Sequence, residues 1–87
     1  MKRIYVAEVQ IMDADRFDLA ICETMEQAVD AIEMDKAHTT VREAKDRIWS
    51  VSAWDIPCTE GQSLKEAYLD WADDIAWVPD PVEYKEV

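Results

Sequence analysis

The residues able to do covalent or acid–base chemistry are few. The chain holds one histidine, His38, two cysteines, Cys22 and Cys58, and one glycine, Gly61. Nucleophilic catalysis needs a hydroxyl or thiol beside a base, so His38 would have to serve any such pair alone. It follows a helical pattern and sits in a basic, polar stretch, as expected of a histidine closing a helix, where its charge meets the dipole favourably. Cys22 lies among apolar neighbours and reads as a small core residue. Cys58 falls in a loop with no adjacent cation to lower its pKa. The run Asp13-Ala14-Asp15-Arg16-Phe17-Asp18 resembles a calcium loop only in part. Its fifth, sixth and twelfth positions are Phe17, Asp18 and Thr24, where the calcium loop needs an oxygen ligand, Gly and Glu. One glycine cannot build a phosphate-cradling loop. These residues predict neither an enzyme nor a metal or cofactor site.

The abundant chemistry is carboxylate. Twenty Asp and Glu against nine Lys and Arg leave a net charge of −11, beyond the magnitude of about 2–8 usual for a small soluble domain. Residues 13–37 and 58–87 carry −6 each, while 38–57 are balanced. Such a chain is repelled by nucleic acid and by anionic membranes and is drawn to basic protein surfaces. Within the acidic stretches, Glu26, Asp30 and Glu33 recur at helical spacing, as do Glu66, Asp70, Asp73 and Asp74. Like charges four apart cost a helix roughly 0.2–0.5 kcal/mol per pair. The dipole offsets that cost for Glu26 and Glu66 in the first turns, but it opposes Asp70, Asp73 and Asp74 towards a helix end. Carboxylates at i, i+4 and i+7 repeat over about 6 and 10.5 Å, the scale of a few steps of about 3.4 Å along a duplex strand.

Hydrophobic periodicity supplies the elements that would hold these residues. Alternation predicts strands over 3–12 and 17–23, joined by a polar connection at 13–16. Thr24 and Gln27 predict a helix start, with Met25, Ala28, Val29 and Ile32 as its buried stripe. Thr40 and Glu43 suggest a helical turn over 41–46. Residues 47–56 read as a third strand stopped by Pro57. Ser63 opens the clearest helix, with Leu64, Ala67, Tyr68, Trp71 and Ile75 inward. The expected fold is α+β, a three-stranded antiparallel sheet with two helices packed on one face in the order β-β-α-β-α. The domain should span 1–78, with 79–87 as a tail.

Four tryptophans raise a further question. Trp49 and Trp54 differ by five and point to opposite faces of an ideal strand, so a one-sided core cannot take both without a bulge. Trp71 is inward by helical phase. One of Trp49, Trp54 and Trp77 should therefore be exposed, and an exposed Trp among acids is suited to a binding hot spot. No stretch approaches the roughly 18 apolar residues of a membrane span, and the N-terminus lacks the apolar run of a signal peptide. A cytoplasmic protein with free thiols is expected.

In its size, its KRIYVAEVQ opening, its β-β-α-β order and acidic helical segments such as EAYLDWADD, the chain resembles the short acidic proteins by which bacteriophages and mobile elements disarm host defences. These include anti-CRISPR and anti-restriction DNA mimics. The resemblance implies stoichiometric binding to a nuclease or defence complex rather than catalysis. The expected partner is a basic protein surface, met by Glu26, Asp30, Glu33, Glu66, Asp70, Asp73, Asp74 and Trp77. The alternative is a structural or regulatory accessory protein, joined as a homodimer through a sheet edge or an exposed Trp.

Overall fold

A computed structural model describes residues 1–14 and 16–87. The first strand, β1 (Lys2–Ile11), is buried on both sides. Tyr5, Ala7 and Val9 face one way and Ile4, Val6 and Glu8 the other, as strand alternation requires. The partners of β1 are β2 (Arg16–Cys22) and β3 (Arg47–Ile56), both antiparallel to it. A fourth strand, β4 (Glu83–Glu86), pairs antiparallel with β3, giving the order β2-β1-β3-β4.

Three expectations need correction. The sheet has four strands, because residues 83–86 pair with β3 instead of trailing as a tail. The element order is accordingly β-β-α-α-β-α-β. Its two main helices also lie on opposite faces. One core joins Ala7, Val9, Trp49 and Val51 to Ala28 and Ile32 of α1 (Met25–Ala37). The other joins Ile4, Val6, Trp54 and Ile56 to Ala67 of the C-terminal helix (Leu64–Asp74). The connectivity explains this. β2 and β3 flank β1 and run parallel to each other, so α1 must cross β1 over one face. Ile4, Val6, Trp54 and Ile56 then need cover on the other.

The helices start where the caps were read. Thr24 Oγ1 accepts from the Gln27 amide at 3.1 Å, while the Gln27 side chain accepts from the Glu23 amide at 3.0 Å. α2 is a single turn, Val41–Ala44, under a complete Thr40–Glu43 capping box. The C-terminal helix, hereafter α3, begins at Ser63, whose Oγ accepts from the Glu66 amide at 3.1 Å. The connection 12–15 between β1 and β2 includes Asp15, which lies outside the described residues, and with it part of the calcium-loop pattern. Asp13 holds a left-handed φ of 60° there.

Candidate functional site

The two acidic helices do not share a surface. Glu26, Asp30 and Glu33 are exposed on α1, in the layer on one side of the sheet. Glu66, Asp70, Asp73 and Asp74 are exposed on α3, in the layer on the other. The structure thus brings together the four α3 acids and the segment leading to Trp77, and it separates them from the α1 acids.

On α3 the acids occupy two positions. Glu66 and Asp73 point outward by helical phase. Asp70 and Asp74 border a groove with Pro57, Thr59, Gln62 and Trp71 on the β3 side of the helix. The Gln62 side chain donates to Asp70 at 2.6 Å. The last turn of α3 holds no basic residue, so nothing in it answers Asp73 and Asp74 or the dipole. Among the described residues, none of these seven acids, Glu26, Asp30 and Glu33 on α1 and Glu66, Asp70, Asp73 and Asp74 on α3, forms an ion pair. The ion pairs fall elsewhere: Arg3 with Asp55 and Glu83, Arg16 with Glu8, Arg47 with Glu43, and Lys2 with Glu23.

The tryptophan question resolves through the two-sided sheet. Trp49 and Trp54 are both buried, each in its own core. Trp49 Nε1 donates to Asp35 at 2.8 Å, under the Lys36 ammonium 5.2 Å from the ring centroid. Trp54 Nε1 donates to the Pro79 carbonyl at 3.0 Å and its ring packs 5.7 Å from that of Trp71. Trp77 is the exposed one, at 79%, beside Ile75, Ala76 and Pro79. It follows α3 directly and shares its end of the molecule with Asp73 and Asp74.

His38 caps α1, its Nδ1 lying 2.8 Å from the Met34 carbonyl, which must accept from it. Cys22 belongs to the α1 core and Cys58 to the α3 core, so the sheet separates the two thiols. Burial pushes the Cys22 thiol above its ordinary pKa, the opposite of activation. Among the described residues, no three His, Cys, Asp or Glu side chains are grouped to hold a metal. No helix there is long and apolar enough to cross a membrane.

One acid was missed. Glu8 sits on the α3 face of β1 with its side chain only 4% exposed. Arg16 Nη1 approaches its Oε2 at 3.3 Å, yet that oxygen receives no hydrogen bond. Burial raises the Glu8 pKa against the pull of Arg16, and Asp18, its register partner on β2, raises it further. The nearby Tyr68 phenol is pushed up to about 12, by burial first and then by Asp18 and Glu8. Alternation alone placed Glu8 on the second face of β1, and it becomes a buried acid only once that face is covered. Comparison with known proteins finds no matching family model, no similar curated protein and no similar solved structure.

Proposed function

We propose that the chain is a non-catalytic binding protein whose α3 face and Trp77 occupy a basic, nucleic-acid-binding groove of another protein, in the manner of an acidic phage-type inhibitor. The observation that carries this reading is the absence, among the described residues, of ion pairs on Glu66, Asp70, Asp73 and Asp74 of α3 and on Glu26, Asp30 and Glu33 of α1, although Glu8, Glu23, Glu43, Asp55 and Glu83 find cations. Local stability opposes Asp73 and Asp74 at the end of α3, and an outside cation would answer them. Trp77 adds a rigid apolar anchor at the rim of that charge.

The separation of α1 from α3 narrows the site. A groove that takes α3 cannot also take the outer face of α1 without wrapping the sheet, so Asp70, Asp73, Asp74 and Trp77 form the contact. Glu26, Asp30 and Glu33 contribute field and steering from a distance. The test is capture on the immobilised chain from bacterial lysate at low and high salt. A nucleic-acid-handling protein retained only at low salt supports the reading. Capture of partners that high salt leaves in place contradicts it.

A further inference from the structure

The seven-residue strand β2 is the outer strand of the sheet. At about 3.4 Å per residue it presents about 24 Å of edge, and an edge strand carries an unmatched row of backbone donors and acceptors. The opposite edge is blunted, because β4 is four residues long and carries Glu83, Lys85 and Glu86. β2 also lies between two apolar hollows. On the α3 side is a cavity of about 290 Å³ lined by Leu19, Ile21, Tyr68 and Leu69, with Asp18 and Lys65 at its rim. On the α1 side is a groove of about 360 Å³ lined by Leu19, Ala31, Met34, Asp35 and His38. Leu19 reaches both because the register shifts at Ala7/Glu8 and leaves it without a partner on β1. Leu69 and Met34 are 49% and 67% exposed.

Much of the helical charge is turned away from this edge. Asp70 and Asp74 lie on the β3 side of α3. By helical phase, Glu26 and Glu33 lie on the flank of α1 opposite Ala31 and His38. Among the described residues at the edge, Asp18 is balanced by Lys65 across the cavity, Arg16 is spent on Glu8, and Asp35 in the α1-side groove accepts from the Trp49 indole. On a chain of net charge −11, this edge is apolar and carries little net charge among the described residues, so a basic partner is drawn more strongly to the other flank of α3. It suits its own kind. A two-fold axis normal to the sheet keeps each face on its own side. Leu69 would then meet Leu69 of the second copy across one hollow, and Met34 its counterpart across the other, as a self-complementary interface requires.

We propose that β2 is a self-association edge, at which two copies of the chain pair β2 to β2 antiparallel and continue the sheet. The proposal does not rest on the α3 reading, and the two respond to salt with opposite signs. Self-association of two acidic chains strengthens as salt screens their repulsion, whereas capture of a basic partner weakens.

Sedimentation equilibrium of the full chain at low and high salt tests it, with backbone amide exchange at low and high protein concentration. The expected result is a dimer favoured by salt, with exchange slowed over residues 16–22. Leu69→Lys and Met34→Lys should each weaken it about tenfold or more, equivalent to about 1.4 kcal/mol. Both lower the magnitude of the net charge, so general repulsion cannot explain that loss. Trp77→Ala should leave the dimer intact. A chain that stays monomeric at all salt and protein concentrations overturns the proposal. So does a dimer that survives both lysine substitutions, or one whose new protection lies at β4 or Trp77. If either variant is poorly folded, the exchange map of the unaltered chain decides alone.

Discussion

Trp49 and Trp54 stand five residues apart on β3, and their rings fill separate cores on opposite faces of one sheet. The two indoles share no hydrogen-bond partner: one donates to Asp35 on α1, the other to Pro79 beyond α3.

Substitution at these two positions should therefore be additive. Trp49→Phe and Trp54→Phe each lose an indole hydrogen bond and some buried area, at about 1–2 kcal/mol apiece. The double variant should equal the sum within about 0.5 kcal/mol, measured by urea unfolding. A larger discrepancy would mean that the two cores are energetically one.

The pH dependence of stability should carry the mark of Glu8. Its folded pKa is raised above the ordinary value of 4.5, chiefly by burial. The folded state therefore holds that proton more tightly than the unfolded chain does. The contribution is full below the unfolded pKa and is lost as pH rises through the folded one. Asp55, held low by the Arg3 hydrogen bond, works in the other direction and loses its contribution as pH falls. Across pH 4–8, Glu8→Gln should abolish the loss on the alkaline side, so that wild type declines relative to the variant as pH rises. Parallel stability curves would show that Glu8 does not titrate differently on folding.

Much of this arrangement was legible beforehand, and the parts that were not share one physical cause. The strands show in alternating residues such as Tyr5, Ala7 and Val9. The helices show in caps at Thr24, Thr40 and Ser63, because these signals are local. Which face a helix covers depends on how β2 and β3 flank β1, a non-local fact that no window of residues contains. The five-residue spacing of Trp49 and Trp54 was the one local clue to a two-sided sheet. β4 was hidden because Glu-Tyr-Lys-Glu has no apolar face, and its pairing with Ser50–Ala53 is made by backbone. The acids were readable by helical phase, but their division between two layers followed from the fold.

Loss of β4 should show how far that polar strand matters. Removing residues 83–87 frees the outer edge of β3, including the Trp49 carbonyl that accepts from the Val87 amide at 2.9 Å. It also removes the Glu83 carboxylate that accepts from the Tyr5 hydroxyl at 2.9 Å. The expected cost is about 1–3 kcal/mol in chemical denaturation, with faster amide exchange over residues 49–53. Unchanged stability would reduce β4 to a decoration of the sheet.

The carboxylates at the end of α3 should be tolerated by the fold rather than needed by it. Asp73→Asn with Asp74→Asn relieves repulsion from Asp70 and an unfavourable dipole contact. The double variant should gain about 0.5–1 kcal/mol at low ionic strength, and salt should shrink the gain. A loss of stability would show that these acids serve the fold, and would remove the argument that a partner accounts for them.

The most direct measurement of the central claim is competition for a captured partner. A protein retained by the immobilised chain at low salt is eluted with duplex DNA, and the capture is repeated with Asp70→Asn, Asp73→Asn and Asp74→Asn combined. The account predicts that DNA displaces the partner and that the triple variant retains little of it. Undiminished capture by the triple variant, or a partner that DNA leaves in place, contradicts it.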